Sequence, residues 1–319
     1  MIFTDYIKRS AWGALLLSLF ILLAFRVIFL FVNQPENNTV VLLLTVIPVL
    51  ATGIILTLFC DTYGLLPDRT RWILVTYAWL VAVSPCSYDK WQAVVAGVFV
   101  TGALYRLAAG SHEQLGRSHS FIGAFYITCA GLLFRPAFLL YMPLIIGLIL
   151  MSEVTLKNFL AFLGGIVVPF ILLAAGFWFA GYDIGLYMER TLKELTLRNV
   201  TFGLQTFSLT QWVSLMVFVL LLLLSVIVRG IRRDSSGSLN KTRFYHAMFW
   251  FLLFTAAGLF IWPGHAQGFT VLFLIPASYF ITSLFSETRL FGRKVWLALF
   301  ILASVVYFVT NLGVLPSGF

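Results

Sequence analysis

Charged residues are scarce in this 319-residue chain, since Asp, Glu, Lys and Arg together make up only 10% of it. Hydrophobic residues make up 61%, and the mean hydropathy is +0.99. This composition excludes an ordinary globular domain, in which about 25% of the residues are charged. The apolar residues form blocks of roughly 16 to 24 residues, the length that a helix needs to cross a bilayer core. We therefore predict an all-α, polytopic transmembrane helical bundle.

Patterns typical of metal and catalytic sites are also missing from the sequence. The chain has three cysteines (Cys60, Cys86 and Cys129) and four histidines, and their spacing matches neither a zinc site nor a disulfide framework. It contains no phosphate-binding glycine loop and no recognisable catalytic triad. We expect packing roles for the cysteines, no metal ion and no cofactor. Function must then depend on polar residues at the membrane faces or inside the bundle.

We predict about eleven membrane-spanning helices within a single transmembrane domain that covers residues 1–319. The predicted spans are 11–32, 39–60, 71–84, 91–109, 120–134, 136–151, 157–181, 209–229, 246–262, 268–285 and 294–312. The first eight lie within 11–229 and the last three within 246–312, and a basic cytoplasmic linker at 230–245 separates the two groups. The first span lacks a cleavage-site pattern, so we expect a retained signal anchor.

Lys and Arg residues are distributed unevenly between the two sides of the predicted topology. If the N-terminus is cytoplasmic, most of the 21 cations lie at cytoplasmic breaks, as the positive-inside rule requires. The exceptions are Arg26 within a span and, outside, Lys90, Arg135, Arg190, Lys193 and Arg198. The formal charge of +9 therefore reflects topology and predicts no nucleic-acid partner. We expect a multi-pass bacterial inner-membrane protein with an external C-terminus.

The longest external segment contains a predicted amphipathic helix near 184–198. Ile184, Met188, Leu192 and Leu195 recur at helical spacing, and charged residues occupy the opposite side. A helix of this kind lies in the membrane interface. Two interpretations remain open: a surface connector, or a helix that borders a lipid headgroup site.

Two arginines occupy positions where a cation is costly. Arg135 lies at a tight external corner beside Pro136, and Arg26 lies in the outer third of the first span. Arg135 either snorkels to the interface or captures a phosphate, which a guanidinium binds through two oxygens. Arg26 either snorkels or pairs with a buried group in a polar cavity, and Glu36 is its nearest candidate partner in the sequence.

One segment resembles a known enzyme superfamily. In residues 124–182 a small-residue span ends in Arg beside Pro, and an apolar hairpin, a short basic break and a Gly-Gly span follow. This order is similar to that in membrane-embedded C-type glycosyltransferases. Much of the chain from about residue 55, including YGLLPDRTRW, also resembles an uncharacterised family of multi-spanning bacterial inner-membrane proteins.

The glycosyltransferase resemblance implies roles for particular residues. Arg135 would hold the phosphate of a polyprenyl-linked sugar, and Glu36 would be the acidic residue of the first external loop that serves as base or metal partner, where the superfamily usually has Asp or an acidic pair. A positioned carboxylate makes an acceptor hydroxyl more reactive. Asp89 is a second candidate carboxylate. Other external polar residues that would complete the site are Tyr88, Lys90, Asp183, Tyr187, Arg190, His265 and Gln267, together with Arg26.

Three functional classes follow from these observations. The favoured one handles a polyprenyl-phosphate-linked sugar at the outer face, with catalysis itself left open. A lipid or small-molecule transporter or flippase is the second, although a proton-coupled mechanism would normally require acids within the spans. The third is a non-catalytic membrane subunit that packs beside a protein partner.

Overall fold

The computed structural model describes residues 11–33, 45–66, 71–84, 86–110, 116–151, 155–183, 185, 187, 189, 191, 193, 219–220, 222–227, 239–287 and 290–311. Every regular element in this part of the chain is a helix, which confirms the all-α prediction. The α-helices are α1 (Ala11–Asn33), α2 (Val46–Thr62), α3 (Trp72–Val83), α4 (Cys86–Asp89), α5 (Trp91–Gly110), α6 (Gly116–Leu133), α7 (Tyr141–Leu150), α8 (Leu156–Ala180), α9 (Leu239–Ile261), α10 (Ala266–Glu287) and α11 (Leu290–Asn311). The 3₁₀ helices Arg135–Leu140 and Pro263–His265 precede α7 and α10.

Five segments within these helices are long and apolar enough to cross a membrane: Trp12–Phe31, Trp91–Ala109, Leu156–Ala180, Thr242–Ile261 and Ala266–Phe285. Shorter apolar helices are Val46–Thr62, Trp72–Val83, Ser118–Leu133, Arg135–Leu150 and Val295–Val309. These helices are typical of a membrane protein. The number of about eleven crossings stays a prediction, and of the predicted span 209–229 only 219–220 and 222–227 are described.

Helices α9 and α10 run in opposite directions, since Gly258 near the end of α9 lies against the ring of Phe269 near the start of α10, and Phe244 near the start of α9 meets Tyr279 in the second half of α10. At one end, Phe134 after α6 packs edge-to-face on Phe269 near the start of α10, with ring centroids 5.7 Å apart. At the opposite end, Phe59 near the end of α2 meets Phe244 near the start of α9, with centroids 5.6 Å apart. We call the first the Arg135 end, because Arg135 follows Phe134.

The central helix of the bundle is α10, whose apolar window is 83% buried. It packs against α3, α5 and α9, and it buries large rings such as Phe269 and Phe280. The opposite case is α8, whose window is only 17% buried and whose main neighbour is α6. The contact is close, because a methyl group built on Gly165 would lie 2.2 Å from the carbonyl oxygen of Phe121.

A proline inside α8 creates a local need for a hydrogen-bond donor. Pro169 has no N–H, so the carbonyl of Gly165, four residues earlier, loses its helical partner. The hydroxyl of Thr128 in α6 donates to the carbonyl of Ala124 in its own helix at 2.8 Å, and it also lies 3.4 Å from the Gly165 carbonyl oxygen and 2.5 Å from the hydroxyl of Tyr141. In hydrocarbon an unsatisfied carbonyl costs several kcal/mol. The longer contact between the helices therefore compensates in part for the donor that the proline lacks.

The helix α3 has only 12 residues, which is about 18 Å of helix against a hydrocarbon core of about 30 Å. The segment that follows it is buried at Ser84, Ser87 and Tyr88. The Ser87 hydroxyl is within hydrogen-bond distance of the carbonyls of Val81 (2.9 Å) and Ser84 (2.7 Å), and the Tyr88 hydroxyl donates to the carbonyl of Ala82. These side chains satisfy carbonyls that the end of α3 leaves without helical partners.

Candidate functional site

Arg135 stands at the point where the chain turns from α6 into α7. Phe134 is extended (φ −129°, ψ 93°), and Arg135 then begins the 3₁₀ helix with Pro136 in its first turn. Pro136 has no N–H, and in a continuous helix its ring would clash with the carbonyl of Leu132, which explains why α6 does not continue through this corner. The arginine is thereby placed at one end of the bundle, half-buried.

Tyr187 holds the Arg135 side chain from across the fold. The guanidinium carbon of Arg135 lies 5.3 Å from the centroid of the Tyr187 ring, a cation–π contact. The Tyr187 hydroxyl donates a hydrogen bond of 3.2 Å to the carbonyl of Leu132 in the last turn of α6, and its ring meets that of Phe177 in α8 at 5.3 Å. Tyr187 therefore joins α6, α8 and Arg135 at one point.

The segment that carries Tyr187 is helical at residues 185, 187, 189, 191 and 193, in agreement with the predicted interfacial helix. It begins with an Asx turn, in which the Asp183 carboxylate accepts a 2.7 Å hydrogen bond from the backbone N–H of Gly185. Lys193 and Glu189 form an exposed ion pair at 2.6 Å. Thr191 is buried, so one side of this segment faces the bundle and the other faces outward. Asp183 thus starts the helix.

The turn WPGHAQG places His265 beside the residue that precedes Arg135. The His265 ring lies edge-on to Phe134, with centroids 6.1 Å apart. Gly268 permits this packing, because a methyl group on it would lie 2.5 Å from the Phe134 ring. Gln267 is exposed. His265 and Arg135 therefore belong to the same end of the bundle.

Arg26 is completely buried in α1, so its side chain does not reach the lipid-facing surface. Its guanidinium carbon lies 5.3 Å from the centroid of the Tyr88 ring. The hydroxyl of Tyr88 donates to Ala82 at the C-terminal end of α3, and its ring packs edge-to-face on Phe29 at 4.8 Å. A helix C-terminus carries a negative partial charge, which favours a nearby cation. The sequence had placed Tyr88 in an external loop, whereas the structure buries it.

The remaining predicted residues are distributed differently. Lys90 is exposed between α4 and α5. Asp89 ends α4, and its side chain lies outside the described part of the chain, as do Glu36 and Arg190. Among the described residues no group of three His, Cys, Asp or Glu side chains is placed to hold a metal ion. Among the predicted site residues, the structure thus pairs Arg135 with Tyr187 and Arg26 with Tyr88.

Sequence reasoning missed two features of this end of the bundle. One is the buried cap of α3 by Ser87 and Tyr88, for which the Ser84-Pro85 step was an available signal, whereas the short helix itself agrees with the predicted span 71–84. The other is a group of aromatic rings that extends from Arg135 toward the middle of the bundle. Composition alone does not distinguish these rings from lipid-facing phenylalanines. Neither a protein-family model nor a curated protein nor a solved structure matches the chain. The resemblances named above therefore rest on sequence patterns alone.

Proposed function

We propose that this chain is a multi-pass protein of the bacterial inner membrane that binds the phosphate of a polyprenyl-linked sugar at Arg135. The observation that carries the proposal is the fixed, half-buried guanidinium of Arg135 over Tyr187 at the end of the bundle. A guanidinium carries five N–H donors, and a contact of its carbon with an aromatic ring does not require them as hydrogen-bond donors. Arg135 therefore has the chemistry to bind two phosphate oxygens of a lipid headgroup in the membrane interface.

The positions of Lys, Arg and Trp residues support a topology in which the Arg135 end faces the outside of the cell. Arg71, Arg106, Lys157 and Arg243 belong to the opposite end, because they flank α3, α5, α8 and α9 there. By the positive-inside rule that end is cytoplasmic. Exposed Trp178 near the end of α8 and exposed Trp12 near the start of α1 lie at levels that suit the two interfacial aromatic belts. This orientation places the N-terminus in the cytoplasm and a lipid-linked sugar on the external side.

Sugar transfer is the reaction that such a site would support. A carboxylate accepts the proton of the acceptor hydroxyl, whose oxygen forms a bond to the anomeric carbon while the bond from that carbon to the phosphate oxygen breaks. Arg135 stabilises the negative charge on the departing lipid phosphate. Glu36 is the first candidate for the carboxylate and Asp89 is the second.

Binding and catalysis are separable by substitution in the full-length protein. Arg135→Gln keeps a polar side chain but removes the charge, and we expect binding of polyprenyl phosphate in nanodiscs to weaken by about ten- to a hundredfold, the effect of a charged hydrogen-bonding group. Lys193→Gln removes an exposed cation of the segment that carries Tyr187 and is the matched control. Unchanged binding by Arg135→Gln, or an equal loss with Lys193→Gln, would contradict the proposal.

The catalytic part of the proposal has its own test. Glu36→Gln and Asp89→Asn should each retain lipid binding, and the one that removes the reacting carboxylate should lose the cell-surface glycan. Normal glycan in both variants would limit the protein to binding without transfer.

A lipid transporter is a second candidate. It is favoured by the buried Arg26, which lies near the C-terminal end of the short helix α3. Helix termini within the membrane are typical of substrate sites in transporters. In proteoliposomes that contain a fluorescent phospholipid, Arg26→Gln should then abolish flipping, while Glu36→Gln should not. Absence of flipping in the unmodified protein would exclude this candidate for that lipid.

A further inference from the structure

Aromatic side chains continue the line of Arg135 along its own helix. In a 3₁₀ helix the side chains at positions i and i+3 eclipse one another. Arg135 and Phe138 are related in this way, and Tyr141 follows one further step along at the start of α7. The rings of Phe138 and Tyr141 are indeed stacked, with centroids 6.0 Å apart and planes 10° apart. The cation and the two rings therefore form one row that runs from the end of the bundle toward its middle.

Helix α8 faces this row with rings of its own. Phe170 stacks on Phe138 with centroids 6.0 Å apart, and Phe162 meets Tyr141 edge-to-face at the same distance. We call Phe138, Tyr141, Phe162 and Phe170 the aromatic seam, because they fill the space between α8 and the 3₁₀–α7 segment. Phe177 lies two turns beyond Phe170 and contacts Tyr187, so the seam leads directly to the site of Arg135.

The seam lies at the surface of the bundle. Phe138, Tyr141 and Phe170 are half-buried, whereas Phe162 is buried behind them. The inner side of the Phe138 ring lies against α6, since a methyl group on Gly131 would be 2.3 Å from that ring. Met142 beside the seam is exposed, and α8 is the helix whose window is 17% buried. The outer sides of the rings therefore face the hydrocarbon of the membrane directly below a fixed cation.

We propose that the aromatic seam binds the isoprenoid chain of the lipid whose phosphate lies on Arg135, in preference to an acyl chain. The inference rests on the proposed function and adds the selection of the hydrocarbon. Each isoprene unit carries a double bond, and the edges of the half-buried rings can contact its π electrons as the edge of one aromatic ring contacts the face of another. An acyl chain offers mainly CH₂ edges and gains less dispersion energy from the same rings. A charge at the interface above a row of rings matches an anionic head joined to an isoprenoid tail.

The test compares two lipid monophosphates, polyprenyl phosphate and dioleoyl phosphatidic acid, which share a phosphate head and differ in the chain. Binding to the full-length protein in nanodiscs is measured by competition. The variants are Phe138→Leu and Phe170→Leu, singly and together, and Arg135→Gln. The matched control is Phe20→Leu, which changes an exposed ring on α1. Leucine keeps each position apolar and close in volume, so the fold is retained.

We expect the unmodified protein and Phe20→Leu to prefer polyprenyl phosphate by about threefold to tenfold, the contribution of one or two ring contacts. The double variant should lose this preference while its affinity for phosphatidic acid stays the same. An equal preference for both lipids in the unmodified protein, or an undiminished preference in the double variant, would overturn the inference. Neither result would affect the headgroup proposal, which is tested separately by whether Arg135→Gln weakens the binding of both lipids.

Discussion

Helices α10 and α8 are both long and apolar, yet they occupy opposite positions in the fold. The window of α10 is 83% buried with a mean hydropathy of 1.7, while that of α8 is 17% buried with a mean hydropathy of 2.4. The more hydrophobic helix is thus the outer one. In a membrane the surroundings are as apolar as the core, so hydrophobicity does not drive a helix to the centre. Packing and polar contacts between helices decide the position.

Buried hydroxyl groups in and beside the two helices illustrate these polar contacts. In α10, Ser278, Thr282 and Ser283 are buried and hydrogen-bond to carbonyls of their own helix, at 2.7 Å each. These polar residues lower the hydropathy of α10 without leaving a group unsatisfied. Small side chains of this kind also let neighbouring helices approach closely. In α8 the carbonyl of Gly165 lacks a helical donor because of Pro169, and the hydroxyl of Thr128 in α6 lies beside that carbonyl.

The largest predicted effect contrasts two glycines. A side chain at Gly268 in α10 would run into the ring of Phe134, whereas a methyl group at Gly176 in α8 meets no described atom within 4 Å. We expect Gly268→Leu to lower the free energy of unfolding in detergent by about 3 kcal/mol and Gly176→Leu to change it by less than about 0.5 kcal/mol. Thermal unfolding monitored by circular dichroism compares them. Equal effects would show that α10 is not the tighter region.

A second pair examines the one close contact of α8. A methyl group on Gly165 meets the backbone of Phe121, which cannot rotate away, while on Gly164 it would be 3.6 Å from the Phe121 ring. Gly165→Ala should cost about 2 kcal/mol by overpacking, and Gly164→Ala should be close to neutral. Cysteine cross-linking between α6 and α8 should fall in the first variant alone. Retained cross-linking in Gly165→Ala would mean that the two helices accommodate the methyl group without separating.

A third change removes the Thr128 hydroxyl, which lies beside the carbonyl that Pro169 leaves without a helical partner. Thr128→Val keeps the shape of the side chain and should destabilise the protein by about 1 kcal/mol, because a buried carbonyl and the Tyr141 hydroxyl each lose a partner. The control is Thr255→Val, whose hydroxyl bonds to carbonyls of its own helix at Phe251 and Leu252. Unfolding in urea or sodium dodecyl sulfate measures both. A larger loss for Thr255→Val would contradict the compensating role of Thr128.

The smallest expected effect concerns the attachment of the segment 183–193. Tyr187→Phe removes the hydrogen bond to Leu132 but keeps the ring over Arg135, so local opening should increase by about threefold. Tyr187→Leu removes both contacts and should open the segment further. Amide hydrogen exchange of peptides from this region reports the difference. Identical exchange in all three proteins would show that Tyr187 does not hold the segment.

The long apolar helices were predictable because their hydrophobic runs are continuous. Predicted spans 11–32, 157–181 and 268–285 agree closely with α1, α8 and α10. The start of α9 was not predictable from hydropathy, since the helix begins at Leu239 and its first turns carry Asn240 and Lys241. Polar turns that extend beyond a membrane have no hydrophobic signal, so a hydropathy boundary marks the apolar part of a helix.

The candidate site was predictable in its residues but not in its contacts. Arg135 and Tyr187 were both selected from the sequence, yet a pairing across about fifty residues depends on how α6 and α8 pack. For Arg26 the sequence left two interpretations open, snorkelling and burial. The lipid-facing and inward sides of a span cannot be distinguished in the sequence when both are apolar. The partner that the structure gives it, Tyr88, belonged to an apparent loop.

The buried break after α3 changes how the topology of this protein would appear to labelling methods. Ser84, Ser87 and Tyr88 lie between the longer helices α3 and α5, where a hydropathy profile shows a loop that a membrane-impermeant thiol reagent should reach. They are nonetheless enclosed by protein. A reporter cysteine at Ser87 would stay silent from both sides of the membrane, and a map that relied on it would miscount the crossings.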